Sequence, residues 1–143
     1  MIVLFSLLVG AWAGTPFPVP EGRQTVQIAV RTELGEFLME VYPNRAPVTV
    51  ANFLRYVDAG YFDGGRFHRT VREDNQPNDS IRIAVIQGDL APRHRSARFP
   101  AIPLERTNES RLSHFDGAVS MARGGPDTAS SSFFICVGDQ PEL

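Results

Sequence analysis

Short apolar runs, each ended by a cluster of turn-forming residues, recur along this chain, and a single stretch carries a helical period. A chain patterned this way hides its apolar side chains by pairing many short strands. Thr25-Val26-Gln27-Ile28-Ala29-Val30-Arg31 alternates polar and apolar residues, the period of a half-buried strand. Glu33–Glu36 reads as a turn, and Phe37–Tyr42 as the returning strand of a hairpin. Further strands are predicted around Phe67, over Ile81–Gln87, over Ala118–Ala122 and over Ser132–Val137. Between them, Glu73–Ser80 is rich in Asp and Asn and reads as a surface loop, as does the proline-rich Ala91–Pro103. The helix is the clearest local signal: Pro47 suits a first turn, Val50, Phe53, Leu54 and Val57 follow at i, i+3, i+4 and i+7, and Gly60 is placed to end it. Many short strands and one early helix predict a mainly β fold, a closed or nearly closed antiparallel β-barrel with a flanking helix.

With 143 residues, 43% hydrophobic and 21% charged, the composition is that of one globular domain. A net charge of −2 offers no basic face for nucleic acid. All 14 basic residues are arginine, which we read as coding bias, and the cluster Arg93, His94, Arg95 and Arg98 reads as a solvated loop. Cys136 is the sole cysteine, so no intrachain disulfide forms, and its apolar neighbours mark it as a small buried hydrophobe.

At the N-terminus, Ile2–Leu8 is apolar apart from Ser6, and Ala11-Trp12-Ala13 fits a small-x-small cleavage site before Gly14. The run is too short to span a bilayer. The reading is a signal peptide over residues 1–13, a linker over 14–24 and one domain over 25–143. A periplasmic or secreted location follows, with no stable membrane insertion after cleavage; a buried N-terminal strand is the alternative.

Candidate chemistry gathers in three runs: Phe67-His68-Arg69, Val85-Ile86-Gln87-Gly88-Asp89, and Ser120-Met121-Ala122-Arg123 with Ser132-Phe133-Phe134-Ile135. Strand alternation predicts that Phe67 shares a face with Arg69, Val85 with Gln87, and Ser132 with Phe134. Converging, these faces make an apolar groove with one fixed cation and one amide. Such a site has no nucleophile, carboxylate pair or metal cluster, and suits a reaction that breaks no covalent bond, with no metal or cofactor. His68 is expected to point away from Arg69 into the core, and His114, before the turn at Asp116-Gly117, is given no role. Gly124-Gly125-Pro126 and Ser130–Ser132 lack a following Gly-Lys-Ser/Thr, so a phosphate loop is not expected.

Together with Arg45-Ala46-Pro47 through Asn52-Phe53, these motifs resemble the cyclophilin family of peptidyl-prolyl cis–trans isomerases, over about Thr25 to Leu143. The resemblance implies a cyclophilin-like barrel that rotates X–Pro bonds in flexible proline-containing polypeptides and acts as a monomer. It implies that Arg69 donates towards the prolyl nitrogen, Gln87 holds a substrate carbonyl and Phe134 floors the proline pocket. Ala122 and Arg123 match the segment that pairs with the substrate backbone, and Leu143 falls at the family's pocket-lining leucine. Ala84 and Val85 stand where the family usually has Phe-Met, Ser132 where it has Gln, and Arg123 where many members have Asn. The expected result is a shallower wall around the proline ring. The loop from Arg69 to Ile81 is longer than usual, and Glu142 at an aromatic position implies poor binding of cyclosporin-type ligands. The family's second helix and closing strands would fall after Leu143, so the domain is expected to be incomplete at its C-terminus. The alternatives are a non-catalytic proline-binding scaffold module and a non-functional fragment.

Overall fold

Seven strands form one antiparallel sheet in the computed structural model, which describes residues 2–6, 25–77 and 80–143. They are β1 (Ile2–Ser6), β2 (Val26–Thr32), β3 (Gly35–Val41), β4 (Gly65–Val71), β5 (Val85–Asp89), β6 (Val119–Met121) and β7 (Phe133–Cys136). Their order across the sheet is β3-β2-β1-β4-β5-β7-β6. The mainly β, antiparallel expectation holds; among the described strands no ladder is recorded between the end strands β3 and β6.

β1 lies within the stretch read as a leader. It pairs with β2 from Val3↔Thr32 to Ser6↔Ala29, and with β4 through Ile2↔Arg66 and Val3↔Gly65. Residues 7–24, the rest of that leader and the expected linker, lie outside the described residues.

The hairpin β2–β3 turns on Glu33 and Leu34, where the Thr32 hydroxyl donates to the Gly35 carbonyl (3.0 Å) and accepts from the Leu34 N–H (3.1 Å). Its inward residues Ile28, Val30 and Met39 meet α1 (Pro47–Asp58), whose buried face is Val50, Phe53, Tyr56 and Val57. Pro47 occupies the first turn as expected. At the other end Gly60 takes φ +66°, Gly60 N–H donates to Val57 (2.9 Å) and Tyr61 N–H to Tyr56 (3.0 Å). This closure needs a left-handed residue, which glycine supplies without strain.

Ala46 precedes α1 and has no side-chain acceptor, so a distant residue caps the helix. Both Glu105 carboxylate oxygens accept from its free amides, Val48 N–H at 3.0 Å and Thr49 N–H at 2.8 Å. Glu105→Ala is therefore expected to cost about 1 kcal/mol of stability, read as a lowered urea midpoint at unchanged slope. An unmoved midpoint would show that water caps the helix equally well.

β5 starts at Val85, four residues later than predicted from Ile81. The intervening segment satisfies its backbone elsewhere: the Gln76 amide accepts from Ile83 N–H (3.1 Å) and donates to Ile83 C=O (2.9 Å). A ladder there would duplicate those bonds. The Ala91–Pro103 loop contains a 3₁₀ turn, Pro92–Ala97, and a short helix α2 (Thr107–Ser110) follows it. Arg98 is more than a solvated loop residue. Its guanidinium bonds the carboxylate of Asp89, and its Nε donates to Ser131 Oγ at 2.9 Å.

Candidate active site

β4, β5, β7 and β6 align their residues in cross-strand rows, and two of these rows separate core from groove. The first is Phe67↔Gly88↔Phe133↔Met121; the second is Arg69↔Gln87↔Phe134↔Ser120. Phe67 and Arg69, two residues apart, sit in different rows because the register shifts between them. This β-bulge at His68 overturns the expectation that Phe67 and Arg69 share a face. An extra residue in one strand re-aims everything after it. Phe67 thus packs edge-on against Phe133 (5.9 Å between centroids), while Arg69 reaches the opposite side. His68, expected in the core, takes up the bulge and is exposed.

The second row forms part of a groove of about 750 Å³. Strands lie about 4.8 Å apart, so Arg69, Gln87 and Phe134 span about 10 Å. Arg69 Nη1 donates to Gln87 Oε1 (3.4 Å), Gln87 Nε2 donates to Ser132 Oγ (3.0 Å), and Ser132 Oγ donates to Gly88 C=O (3.3 Å). The chain of bonds orients the amide, oxygen towards the cation and one N–H towards the hydroxyl. The second amide proton and most of the guanidinium stay open to the groove. Ser132, shorter than the glutamine implied for its place, holds Gln87 in position.

The serine run behind this row is bolted to the fold. Ser130 C=O accepts from Asn52 Nδ2 of α1 at 2.6 Å. Ser131, fully buried, donates to Asp89 Oδ1 (2.8 Å) and accepts from Arg98. A buried carboxylate needs such partners. Nothing in the sequence marked Asp89, Arg98 and Ser131 as a unit, since they are separated along the chain and none stands in a ligand-like pattern.

Apolar walls come from Val71, Ile83 and Val85 on one side and Ile102 and Met121 on another. Val85, Ala122, Arg123, Ser132, Phe134 and Leu143 all line the groove. Ala84 does not. Alternation turns it from the face of Val85, and its backbone is tied down, N–H to Gln140 Oε1 (2.9 Å) and C=O from Val137 N–H (2.9 Å). Ile83 stands in its place. Among the described residues, no three His, Cys, Asp or Glu side chains gather as a metal site would require.

His114, given no role from sequence, stacks on Phe134 with centroids 5.8 Å apart and planes at 20°. Burial holds its imidazole below the ordinary range, a bond to the Leu143 backbone partly offsets this, and the Arg123 charge adds to the lowering. The unfolded chain therefore takes up the proton at higher pH than the folded one. Stability from this residue is present above about pH 6.5 and is lost as pH falls through the lower folded value. The urea midpoint is expected to drop between pH 7.5 and 5.5 more in the parent than in His114→Gln; equal drops would show that His114 does not contribute.

Residues 25–143 match the family model described as cyclophilin-type peptidyl-prolyl cis–trans isomerase/CLD. A peptidyl-prolyl cis–trans isomerase of Acinetobacter baylyi is 32% identical over 139 residues, 96% of this chain and 64% of that protein. One of Synechococcus elongatus is 32% identical over 121 residues, 82% of this chain and 72% of the relative. Peptidyl-prolyl cis–trans isomerase B of Bacillus subtilis is 37% identical over 105 residues, 73% and 66% of the two chains. The chain thus spans about two thirds of the length of these relatives.

Proposed function

The chain belongs to the cyclophilin-type peptidyl-prolyl cis–trans isomerase family, and from that footing we propose that its groove speeds rotation about X–Pro bonds in proline-containing polypeptides. The observation that carries this reading is the single row Arg69, Gln87 and Phe134, a cation, an amide and an aromatic floor on one face.

Rotation of a peptide amide meets a barrier of about 18–20 kcal/mol, because the nitrogen lone pair is delocalised into the carbonyl. At the twisted state the lone pair returns to nitrogen, which becomes a hydrogen-bond acceptor. A donor placed at that nitrogen stabilises the twisted state over both planar ones, which is all the reaction needs. Arg69 supplies that donor, and its guanidinium stays charged beside an apolar wall. The free Gln87 N–H holds the carbonyl before proline. Phe134, Val85 and Ile83 receive the prolyl ring, and the segment Ala122-Arg123 lines the path of the substrate backbone. No bond is broken, so no nucleophile or proton shuttle is called for.

The test is exchange between cis and trans forms of a short proline peptide, followed by NMR. Exchange should rise in proportion to added protein. A rate equal to that of the peptide alone overturns catalysis and leaves a proline-binding module.

The location outside the cytoplasm is supported by the apolar run Ile2–Leu8 and the Ala11-Trp12-Ala13 site. Cleavage there would remove β1 and free the facing edges of β2 and β4. N-terminal sequencing that begins at Gly14 supports export, and an intact Met1 overturns the leader.

A further inference from the structure

The groove carries more positive charge than the one cation, Arg69, that the isomerisation step uses. Its lining holds three guanidinium groups, Arg69, Arg106 and Arg123, and two carboxylates, Glu105 and Asp127. Both carboxylates also hold backbone amides: Glu105 caps α1 through Val48 and Thr49, and Asp127 Oδ1 accepts from Leu104 N–H at 2.8 Å. Among the described residues the salt bridges are Arg31–Glu36, Arg72–Asp74 and Arg98–Asp89, and none involves the groove. Arg123 is exposed beside Ala122, whose N–H is held by Ser132 C=O at 2.8 Å, so the backbone from which this cation extends is tied to β7. Its charge is felt inside the groove at His114, the ring that stacks on Phe134. The chain as a whole carries a net charge of −2, so the groove is positive against its own background.

We propose that the groove selects proline-containing segments with an acidic side chain near the proline, received by Arg123. This rests on the isomerase reading and adds the substrate class to it. Phe134 lies opposite Ser120, and Arg123 follows three residues along the same segment, about 10 Å at 3.3 Å per residue. An extended peptide with its proline on Phe134 therefore brings a residue about three positions away to Arg123. Exposed charge pairs of this kind change equilibria by about two- to fivefold, and salt screens them.

The experiment compares peptides carrying Glu, Ala or Lys three residues to either side of the proline, by NMR exchange so that no coupling protease adds its own preference. The Glu peptide should be accelerated about two- to fivefold more than the Ala peptide on one side of the proline, and the Lys peptide less. The preference should shrink in high salt, vanish in Arg123→Gln and survive in Arg123→Lys. Equal acceleration of all peptides overturns the selectivity and leaves the isomerase standing. A preference that persists in Arg123→Gln overturns the role of Arg123. No acceleration of any peptide overturns the isomerase reading and the selectivity with it.

Discussion

Arg69→Ala is expected to lower kcat by about two to three orders of magnitude with KM little changed, the scale on which one preorganised donor acts when charge develops. The planar amide nitrogen is a poor acceptor, so the bond from Arg69 forms only as the amide twists. An interaction made only at the top of the barrier shows in kcat and not in binding. The residue is exposed and, among the described residues, its side chain bonds only Gln87, at 3.4 Å, so the variant should unfold at an unchanged urea concentration. Arg69→Lys should recover only part of the rate, since an ammonium has no planar fork to share between Gln87 and the prolyl nitrogen. Phe134→Ala, by contrast, should chiefly raise KM. An undiminished kcat in Arg69→Ala would remove this residue from the mechanism, whatever the groove binds.

Phe133→Ala should unfold the domain more readily by about 3–5 kcal/mol, near the top of the range for a core ring. Phe133 is 1% exposed and meets Phe53 at 5.5 Å, Phe62 at 5.7 Å and Phe67 at 5.9 Å, so three rings lose their shared neighbour. Its ring also fills the place of a side chain at Gly88, where a Cβ would stand 2.7 Å from the Phe133 Cζ. Gly88→Ala alone should therefore cost about 1–3 kcal/mol by overpacking. In the Phe133→Ala background the same methyl enters the cavity, and its cost should largely disappear. Denaturant unfolding of the four proteins of this cycle measures the coupling. Simple additivity would show that the two strands adjust without strain. The pair matters for function too, because Gln87 and Phe134 are the chain neighbours of Gly88 and Phe133.

Much of the site was legible before the fold. Arg69, Gln87 and Ser132 each lie in or beside a short apolar run, and a polar residue at an alternating position in such a run must face something other than the core. The same reasoning failed at Phe67. Alternation cannot show a bulge, because an extra residue changes the hydrogen-bond register while leaving local composition as it was. Ala84 was assigned to the wall for its place in a motif, while strand direction gave that face to Ile83. His114 reaches Phe134 from a separate loop, and no local pattern could report that meeting.

The sequence by itself determined the elements: α1 through its i, i+3, i+4 spacing and Gly60, the hairpin through its turn, and the family through motifs in register. These are local properties, written in spacing and in backbone preference. Only the tertiary structure decided which residues meet. It set Arg69 and Gln87 in one row with Phe134, gave α1 its cap from Glu105, and buried Asp89 against Arg98 and Ser131. It also left three guanidinium groups around one groove without an acidic partner among the described residues. The physical reason is range: turns and helix caps act over a few residues, whereas charge and packing act through space, between groups whose separation along the chain says nothing of their distance.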